Sequence, residues 1–273
     1  MDGIVQISVV DPKNKELSEF EESAANELGL KKIFLTEVYN YKDNYLVKNV
    51  AQFGAKVFLN LLEPNMIIGV SLGRTMYELT NYLDEMKGDS YRLSIVEIIG
   101  GMSRISDVSI GSDIPRRLSQ KLNATTYYLT APAFTKDIAT RDALLRDDNI
   151  NKTLSEKIDF FFVGIGNTSP DTTLIKNEII RSEEYKELMR GNAVGVINGT
   201  FYNLDGEIVD FSRNDRRIAI PLENLVNHPL SVGLAGGIDK EKAIVGAIHG
   251  NFINNLITDR RTLEKVLKIY KSL

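Results

Sequence analysis

The sequence contains no cysteine and only two histidines in 273 residues. The lack of cysteine excludes a disulfide framework, a thiol nucleophile and a thiolate metal site, and it fits a reducing compartment. The two histidines, His228 and His249, are far apart along the chain, so we interpret each as a surface or hydrogen-bonded side chain. The sequence therefore predicts neither a metal site nor a cofactor.

The sequence also lacks an excess of positive charge. It has 33 lysines and arginines against 37 aspartates and glutamates, which gives a formal net charge of −4. Residues 1–30 contain seven acidic residues and two lysines, so no basic arm begins the chain. This charge balance gives the chain by itself no electrostatic reason to bind nucleic acid.

Long apolar runs are missing as well. The longest ones have the length of a strand, far short of a membrane span, and the acidic beginning is unlike a signal peptide. The sequence has no internal repeat, no low-complexity tract and no linker rich in proline, glycine and serine. These absences predict a cytoplasmic protein without a membrane partner and without an evident domain boundary.

What the sequence does contain is a repeated order of short apolar run, turn and amphipathic segment. This repeat predicts an α/β fold of Rossmann-like type, in which helices cover both faces of a mainly parallel sheet. The predicted strands are residues 4–10, 32–35, 66–70, 93–99, 125–129, 158–165, 194–197, 231–235 and 254–258. The predicted helices include 18–30, 43–62, 239–250 and 260–269, with Ser18 as the N-cap of the first helix and Glu21 in the capping-box position.

One region departs from this repeat. Residues 195–222 alternate between apolar and polar types around the turn sequence Leu204-Asp205-Gly206-Glu207. Alternation on both sides of a glycine-containing turn is typical of a β-hairpin. We therefore predict a small antiparallel insertion beside the main sheet.

The stretch GVSLGRT, residues 69–75, connects a predicted strand to a predicted helix. The carboxyl edge of a parallel sheet is where open α/β folds bind ligands, and the first amides of a helix have no internal partner. Gly69 and Gly73 permit a tight turn, while Arg74 and Thr75 add a guanidinium and a hydroxyl donor. This geometry suits a phosphoryl group, although a short glycine motif is common in α/β proteins and is weak evidence without context.

Two further turns follow their strands in the same way. One contains Gly164, Gly166 and Asn167, and the other contains Gly236, Gly237 and Lys240. Taken alone, Lys240 reads as a surface lysine among other charged residues. Three polar or glycine-rich turns at one sheet edge nevertheless predict a single cleft for a small phosphorylated ligand.

Several motifs, in their order along the chain, resemble the effector-binding domain of SorC/DeoR-type bacterial transcriptional regulators. They are GVSLGRT, VEIIGGMS, TRDALLRDDNI, DFFFVGIGN, GNAVGVINGTFYNLDG and GLAGGIDKEKAIVGAIHGNFINNLITD. The likeness spans about residues 4–267, and its most specific parts are the first motif and residues 233–259. It implies a fold similar to glucosamine-6-phosphate deaminase and ribose-5-phosphate isomerase, which senses a sugar phosphate rather than transforming it.

The resemblance also implies a domain organisation. Residues 1–273 correspond to the effector-binding domain, with a small antiparallel subregion around 195–222, and the helix-turn-helix domain of such regulators is absent from this chain. Operator DNA is expected to be contacted only through that missing domain. Effector binding is expected to alter assembly and operator affinity, and a homodimer or homotetramer is expected because a palindromic operator needs symmetric readers.

The family's ligand-binding positions can be carried over onto this sequence. Those implied for the phosphate are Ser71, Leu72, Gly73, Arg74 and Thr75, with Lys240 nearby, and those implied for the sugar hydroxyls are Gly166, Asn167 and Asn203. The chain departs from the family pattern at Leu72, where tryptophan is common, at Val196 and Asn203, where aspartate is common, and at His249, where arginine is common. Because asparagine both donates and accepts, its hydroxyl selectivity is expected to differ from that of aspartate.

Three other functions remain as alternatives. A sugar-phosphate isomerase or deaminase would need a general base, and Asp171 and Asp239 are candidates, although neither lies in a recognised catalytic motif and no catalytic set assembles. A nucleotide-binding module is disfavoured because residues 69–75 match neither GxGxxG nor GxxxxGK[ST]. A purely structural protein leaves the three convergent turns unexplained.

The basic run 213–217 is interpreted as a solvated face.

Overall fold

The computed structural model describes residues 12–85, 91–102, 113–170, 172–176, 179–237 and 239–273. The strand predicted at residues 4–10 lies outside this part of the chain. The described strands are β1 (Lys32–Thr36), β2 (Ile67–Val70), β3 (Ser94–Glu97), β4 (Thr125–Tyr127), β5 (Phe160–Gly164), β6 (Gly166–Asn167), β7 (Gly195–Ile197), β8 (Thr200–Tyr202), β9 (Ser231–Leu234) and β10 (Asn255–Asp259). The described helices are α1 (Pro12–Leu28), α2 (Asp43–Asn60), α3 (Arg74–Leu79), α4 (Asp113–Leu122), α5 (Ile138–Leu144), α6 (Asp148–Leu154), α7 (Thr173–Lys176), α8 (Ser182–Arg190), α9 (Glu241–His249) and α10 (Arg260–Tyr270).

The main sheet has seven strands in the order β1-β10-β9-β5-β2-β3-β4, and every neighbouring pair is parallel. The other eight predicted strands all appear in the structure, with ends that differ by at most two residues. The prediction of a mainly parallel α/β sheet is therefore confirmed.

Helices cover both faces of this sheet, as predicted. Successive residues of a strand point to opposite faces, so on β5 Val163 belongs to one apolar cluster and Phe162 to another. The first cluster includes side chains of α1, α9 and α10, and the second includes side chains of α2, α3 and α4. Strands that are apolar on both sides become buried only when both faces are covered, which is why their sequences are continuous apolar runs.

The strand order reverses between β2 and β5. From β2 the chain continues outward through β3 to β4, and from β5 the sheet continues the other way through β9, β10 and β1. The loops that leave β2 and β5 therefore diverge to opposite sides of the sheet. A crevice forms at the carboxyl ends of two such strands, which places the loops after β2 and β5 at its mouth.

The antiparallel insertion exists, and it contains a hairpin turn in addition to the predicted one. Strands β6, β7 and β8 form a separate antiparallel sheet, and β7 turns into β8 at Asn198 and Gly199. Both residues have positive φ angles, 53° and 71°, as a tight turn that matches the strand twist requires. The predicted turn at 204–207 is also present: a bond from Asn203 N to Glu207 O (3.0 Å) closes it, and an antiparallel bridge joins Tyr202 to Ile208.

The prediction that Ser18 caps the first helix is wrong. Helix α1 already begins at Pro12, a residue that suits a first helical position because it needs no backbone donor there. Ser18 is an exposed residue inside the helix. Glu21 instead accepts a hydrogen bond from the backbone N of Leu35 (2.6 Å), and burial raises the pKa of its carboxyl group.

The basic run 213–217 is not simply a solvated face, contrary to the prediction. The guanidinium of Arg213 is largely buried and pairs with Glu184 through its Nε (2.6 Å to Oε1). It also lies over the ring of Phe134, 5.3 Å from the ring centre. Through Arg213, this run therefore contacts both α8 and the loop that contains Phe134.

Within the described residues no helix is both long and apolar enough to cross a membrane.

Candidate functional site

A cavity of about 520 Å³ opens at the carboxyl edge of the sheet, beside the crevice between β2 and β5. Its walls come from the loops after β2, β5 and β9 and from the β7–β8 hairpin. The predicted site residues that line it are Leu72, Gly73, Arg74, Thr75, Gly166, Asn167 and Lys240. The structure thus brings together seven residues from three separate turns, as expected from their positions after the strands.

The loop after β2 presents backbone donors to this cavity. Among the described residues, the amide N–H groups of Leu72, Gly73, Arg74 and Thr75 have no hydrogen-bond acceptor. Gly73 has φ 150°, a conformation that favours glycine, and its carbonyl accepts from Tyr77 N (2.8 Å) at the start of α3. Unpaired N–H groups at a loop of this kind are suited to an anion.

Two cationic side chains lie at the same end of the cavity. Arg74 Nη2 is 2.7 Å from Asp43 Oδ1, and Lys240 Nζ donates to the carbonyl of Ile165 (2.9 Å). Burial lowers the pKa of Lys240 to about 8; the positive charge of Arg74 acts in the same direction, and the carboxylate of Asp43 opposes it. We refer to this part of the cavity, residues 72–75 with Lys240, as the amide end.

The turns after β5 and β9 are joined to each other. Asn167 Nδ2 donates to the carbonyl oxygen of Asp239 (2.9 Å), and Asp239 has φ 61°. This contact sets the position of Lys240, the next residue along the chain. Asp239 lines the cavity, whereas Asp171, the other acid considered as a base, lies outside the described residues.

Ser71 and Asn203 do not line the cavity, unlike the other predicted residues. Ser71 is buried, and its hydroxyl oxygen accepts from Gly164 N (2.9 Å), so it ties the loop after β2 to β5. Asn203 Oδ1 accepts from Glu207 N (2.9 Å) and Asp205 N (3.1 Å), so its side chain closes the small turn. The alternation of strand β8 directs Asn203 to this turn, because the neighbouring Tyr202 is buried against α9 with its hydroxyl on Ala243 O (3.0 Å).

Both histidines are hydrogen-bonded, as interpreted from the sequence. His228 contacts the carbonyl oxygens of Ile158 (3.0 Å) and Leu230 (3.1 Å). His249 Nδ1 lies 2.8 Å from Leu204 O, and its ring packs on Tyr270. Neither histidine lines the cavity.

Sequence reasoning missed a second part of the cavity lining, around the β7–β8 hairpin, which we call the hairpin end. It is formed by Asn198 at the tip of the β7–β8 hairpin together with apolar side chains, among them Ile99, Phe134, Val196 and Phe201. The dipeptide Asn198-Gly199 is a strong hairpin signal and could have located this turn. The apolar residues come from distant segments, so no local pattern marks them.

Glu97 at the end of β3 was also missed. It is only 2% exposed, and burial raises the pKa of its carboxyl group to about 7, although Leu129 N donates to Oε2 (3.0 Å). Its Oε1 has no partner among the described residues. Glu97 does not line the cavity, so we assign it no part in ligand binding.

The fold and this cavity define a sugar-binding domain of the kind found in bacterial regulators. The Sugar-bind family of sugar-binding domains matches residues 13–268, and the chain belongs to this family. The match covers the seven-stranded sheet, the small antiparallel sheet and all the loops that line the cavity.

Curated relatives are named as transcriptional regulators. The chain is 28% identical to the sorbitol operon regulator of Klebsiella pneumoniae, over 97% of this chain and 85% of that protein. It is 26% identical to the deoxyribonucleoside regulator of Bacillus subtilis, over 95% of this chain and 82% of that protein. It is 30% identical to the transcriptional regulator LsrR of Escherichia coli, over 78% of this chain and 66% of that protein.

Solved structures show the same architecture. The full-length sorbitol operon regulator SorC from Klebsiella pneumoniae matches with a TM-score of 0.87 at 27% identity, over 96% of this chain and 84% of that one. A sugar-binding domain of a transcriptional repressor from Vibrio fischeri matches with a TM-score of 0.82 at 26% identity, over 93% of this chain and 99% of that one. The fold class predicted from the sequence is that of these regulators.

Proposed function

We propose that this chain is the effector-sensing domain of a regulator of carbohydrate metabolism and that it binds a phosphorylated sugar or sugar alcohol in the cavity. One observation carries the proposal. Four consecutive backbone N–H groups, those of residues 72–75, lack acceptors among the described residues, and Lys240 and Arg74 lie beside them. A phosphate offers several acceptor oxygens and two negative charges, so it satisfies these donors together.

The electrostatics support an anionic ligand. Arg74 lowers the pKa of Lys240, so these two cations disfavour each other in the absence of an anion. Asp43 relieves only part of this repulsion, because its side chain is more than half exposed and screened by solvent. A bound dianion offsets the repulsion directly, since it attracts both cations.

We further propose that binding regulates transcription rather than starting a reaction. The named relatives are regulators, and we expect a homodimer or homotetramer whose assembly or operator affinity changes with the effector. Contact with operator DNA is assigned to a helix-turn-helix domain outside the 273 residues, which agrees with the net charge of −4. The catalytic alternative needs Asp239 as a base, since among the described residues Asp43 and Asp239 are the acids that line the cavity and Asp43 is paired with Arg74.

A thermal-shift comparison of sugar phosphates with their unphosphorylated parents tests the proposal. Suitable pairs are glucose 6-phosphate, fructose 6-phosphate, ribose 5-phosphate and sorbitol 6-phosphate, each against its parent. Ligand at a hundredfold excess over its Kd stabilises the fold by about 2.7 kcal/mol, which raises the Tm by roughly 5–10 °C in a chain of this size. Equal shifts from the parents, or no shift from any phosphate, contradict the proposal.

A matched pair of lysine variants tests the location. Lys240→Met removes the charge at the amide end and is expected to weaken phosphate-ester binding by about 10- to 100-fold. Lys242→Met removes an exposed lysine two residues further along α9 and is expected to leave binding unchanged. A similar loss in both variants would show that only the general charge of the domain attracts the ligand.

NMR spectra of each sugar phosphate incubated with the protein distinguish a sensor from an enzyme, because conversion of the sugar phosphate to a product contradicts the regulatory proposal.

A further inference from the structure

One wall of the cavity is apolar and is only partly covered by the protein itself. We call it the apolar wall, and its residues are Met102, Phe134, Leu174 and Ile179. All four line the cavity and all four are partly exposed, in contrast to Ile99, which is only 1% exposed. Apolar surface of this wall is therefore within reach of a molecule in the cavity.

The apolar wall is not part of the hydrophobic core. Among the described residues, Met102, Phe134 and Ile179 belong to none of the four apolar clusters, and only Leu174 packs against one, that of the small sheet. Phe134 is supported by Arg213, whose guanidinium lies 5.3 Å from the ring centre. Since core packing does not account for these side chains, contact with a ligand is a reason for them to be apolar.

Two polar side chains near this wall are out of a ligand's reach. Asn198 lies on the β7–β8 hairpin, which approaches Phe134 closely, since a Cβ atom at Gly199 would be 3.4 Å from the Phe134 ring. The Nδ2 atom of Asn198 donates to two backbone carbonyl oxygens (3.0 and 2.8 Å), and its Oδ1 is buried. Thr172, two residues before Leu174, has a buried Oγ1. Hydroxyl groups of a ligand beside the wall would lose hydration without gaining these partners, which is unfavourable.

The apolar wall and the amide end belong to one cavity but to different segments of the chain. The amide end is formed by the loops after β2 and β9, whereas the wall comes from the loops after β3 and β4, from α7 and from the segment before α8. The cavity volume of about 520 Å³ is within the range of roughly 300–1,000 Å³ found for pockets that enclose small molecules. One molecule that fills this cavity therefore meets an anion site and an apolar surface together.

We propose that the effector is a phosphorylated glycoside, a sugar phosphate that carries an apolar aglycone, and that the aglycone binds against the apolar wall. This inference rests on the proposed function, because it places the phosphate at the amide end. Removal of apolar surface from water stabilises the complex in proportion to the area buried, so an aromatic or alkyl group on the sugar adds affinity. A sugar phosphate without such a group leaves the wall exposed to water.

Isothermal titration of matched ligands tests this inference. Glucose 6-phosphate and ribose 5-phosphate are each compared with their methyl and phenyl glycosides in both anomeric forms, and inorganic phosphate probes the amide end alone. At least one phenyl glycoside is expected to bind at least tenfold more tightly than both the free sugar phosphate and the methyl glycoside. Its binding is also expected to show a more negative change in heat capacity, because more apolar surface is buried.

Two nearly isosteric substitutions place the effect at the apolar wall. Met102→Gln and Ile179→Thr make the wall more polar, and each is expected to reduce the preference for the phenyl glycoside at least threefold. Each is expected to change the affinity for the free sugar phosphate by less than twofold. Ile138→Thr is the matched control, because Ile138 is 48% exposed and does not line the cavity, and it is expected to change neither.

The outcomes distinguish this inference from the proposed function. If neither inorganic phosphate nor any phosphorylated sugar or glycoside binds, the proposed function fails and the inference fails with it. If phosphates bind but no phenyl glycoside binds more tightly than its parent, or if both wall variants keep the full preference, only the inference is wrong. An equal loss of preference in Ile138→Thr also contradicts it.

Discussion

The two ends of the cavity are built in different ways. The amide end comes from loops at the carboxyl edge of the parallel sheet, and it offers backbone N–H groups and two cations. The hairpin end comes largely from the small antiparallel sheet, and apolar side chains such as those of Ile99, Phe134 and Phe201 line it. Backbone donors suit any phosphate ester, whereas apolar walls suit the carbon atoms of a ligand. If the cavity binds a phosphate ester as proposed, the first end would contact the phosphate and the second would contact the rest of the ligand.

The hairpin end depends on close packing of the small sheet. A substitution at Gly195 tests this packing, and it has the largest expected effect on stability. A Cβ atom at Gly195 would lie 2.4 Å from ring atoms of Tyr202, the residue opposite it on β8. Tyr202 is fully buried and is fixed on α9 by its hydroxyl group, so the ring has no space to move. Gly195→Val is expected to lower the free energy of unfolding by more than about 3 kcal/mol.

Urea unfolding of the unmodified protein and of Gly195→Val measures this loss of stability. Gly101→Ala is the control. A Cβ at Gly101 meets nothing nearer than a backbone oxygen at 4.0 Å, so a change below about 0.5 kcal/mol is expected. If Gly195→Val is as stable as the control, the small sheet is loosely packed. In that case the hairpin end could not hold Asn198 in one position.

Glu97, a buried acid at the end of β3, tests how burial in the parallel sheet affects the pH dependence of stability. Burial raises the pKa of this carboxyl from 4.5 to about 7, so the folded state holds a proton that the unfolded state releases between these values. Stability is therefore expected to fall as the pH rises from about 4.5 to about 7 and to be constant above that range with respect to this group. At 1.36 kcal/mol per pKa unit, the total loss is about 3 kcal/mol.

The substitution Glu97→Gln isolates this effect. Glutamine keeps an oxygen that accepts from Leu129 N and has no charge to lose. Stability curves measured by urea unfolding between pH 5 and pH 8 are expected to be flatter for Glu97→Gln than for the unmodified protein. Parallel curves would show that other groups cause the pH dependence, and that the buried carboxyl is already ionised at pH 5.

Much of the fold was predictable because the periodicity of apolar residues is local. Continuous apolar runs such as residues 158–165 must be buried on both faces, which specifies a parallel sheet covered by helices. The helix boundary at Ser18 was wrong because a capping residue is informative only where the helix begins, and α1 begins earlier at Pro12. Strand β6 escaped prediction because it has two residues, too few for a visible alternation. Strand β8 lies in the alternating segment that was predicted to precede the turn at 204–207.

The amide end was predictable and the hairpin end was not, for a physical reason. Loops after parallel strands must meet at one edge, so Gly73 and Lys240 could be placed together from their positions alone. The direction of the Asn203 side chain could not be predicted, because a shift of one residue along a strand exchanges the two faces of the sheet. Phe134 and Ile99 reach the cavity through long-range packing, which no short sequence pattern encodes.

The pH dependence of binding is expected to separate the amide end from the rest of the fold. In the complex an anion beside Lys240 keeps the ammonium group protonated, whereas in the free protein its pKa is about 8. Affinity for a sugar phosphate is therefore expected to decrease as the pH rises through 8, by about 20-fold between pH 7.5 and pH 9.5. Isothermal titration over this range measures the change, and Lys240→Met is expected to show weak binding that does not vary with pH there.

Removal of the Thr75 hydroxyl group has the smallest expected effect on affinity. It compares the contribution of a side-chain donor to phosphate binding with that of the backbone amides. Thr75 has an unpaired amide and an unpaired hydroxyl group among the described residues, and both lie at the amide end. Thr75→Val keeps the amide and the shape of the side chain but removes the hydroxyl donor, which is expected to weaken sugar-phosphate binding by about three- to tenfold. Thr75→Ser keeps the donor and is expected to bind within twofold of the unmodified protein. Equal affinity for Thr75→Val and Thr75→Ser would show that the backbone groups alone hold the phosphate, because the side-chain donor would then contribute nothing that water does not supply.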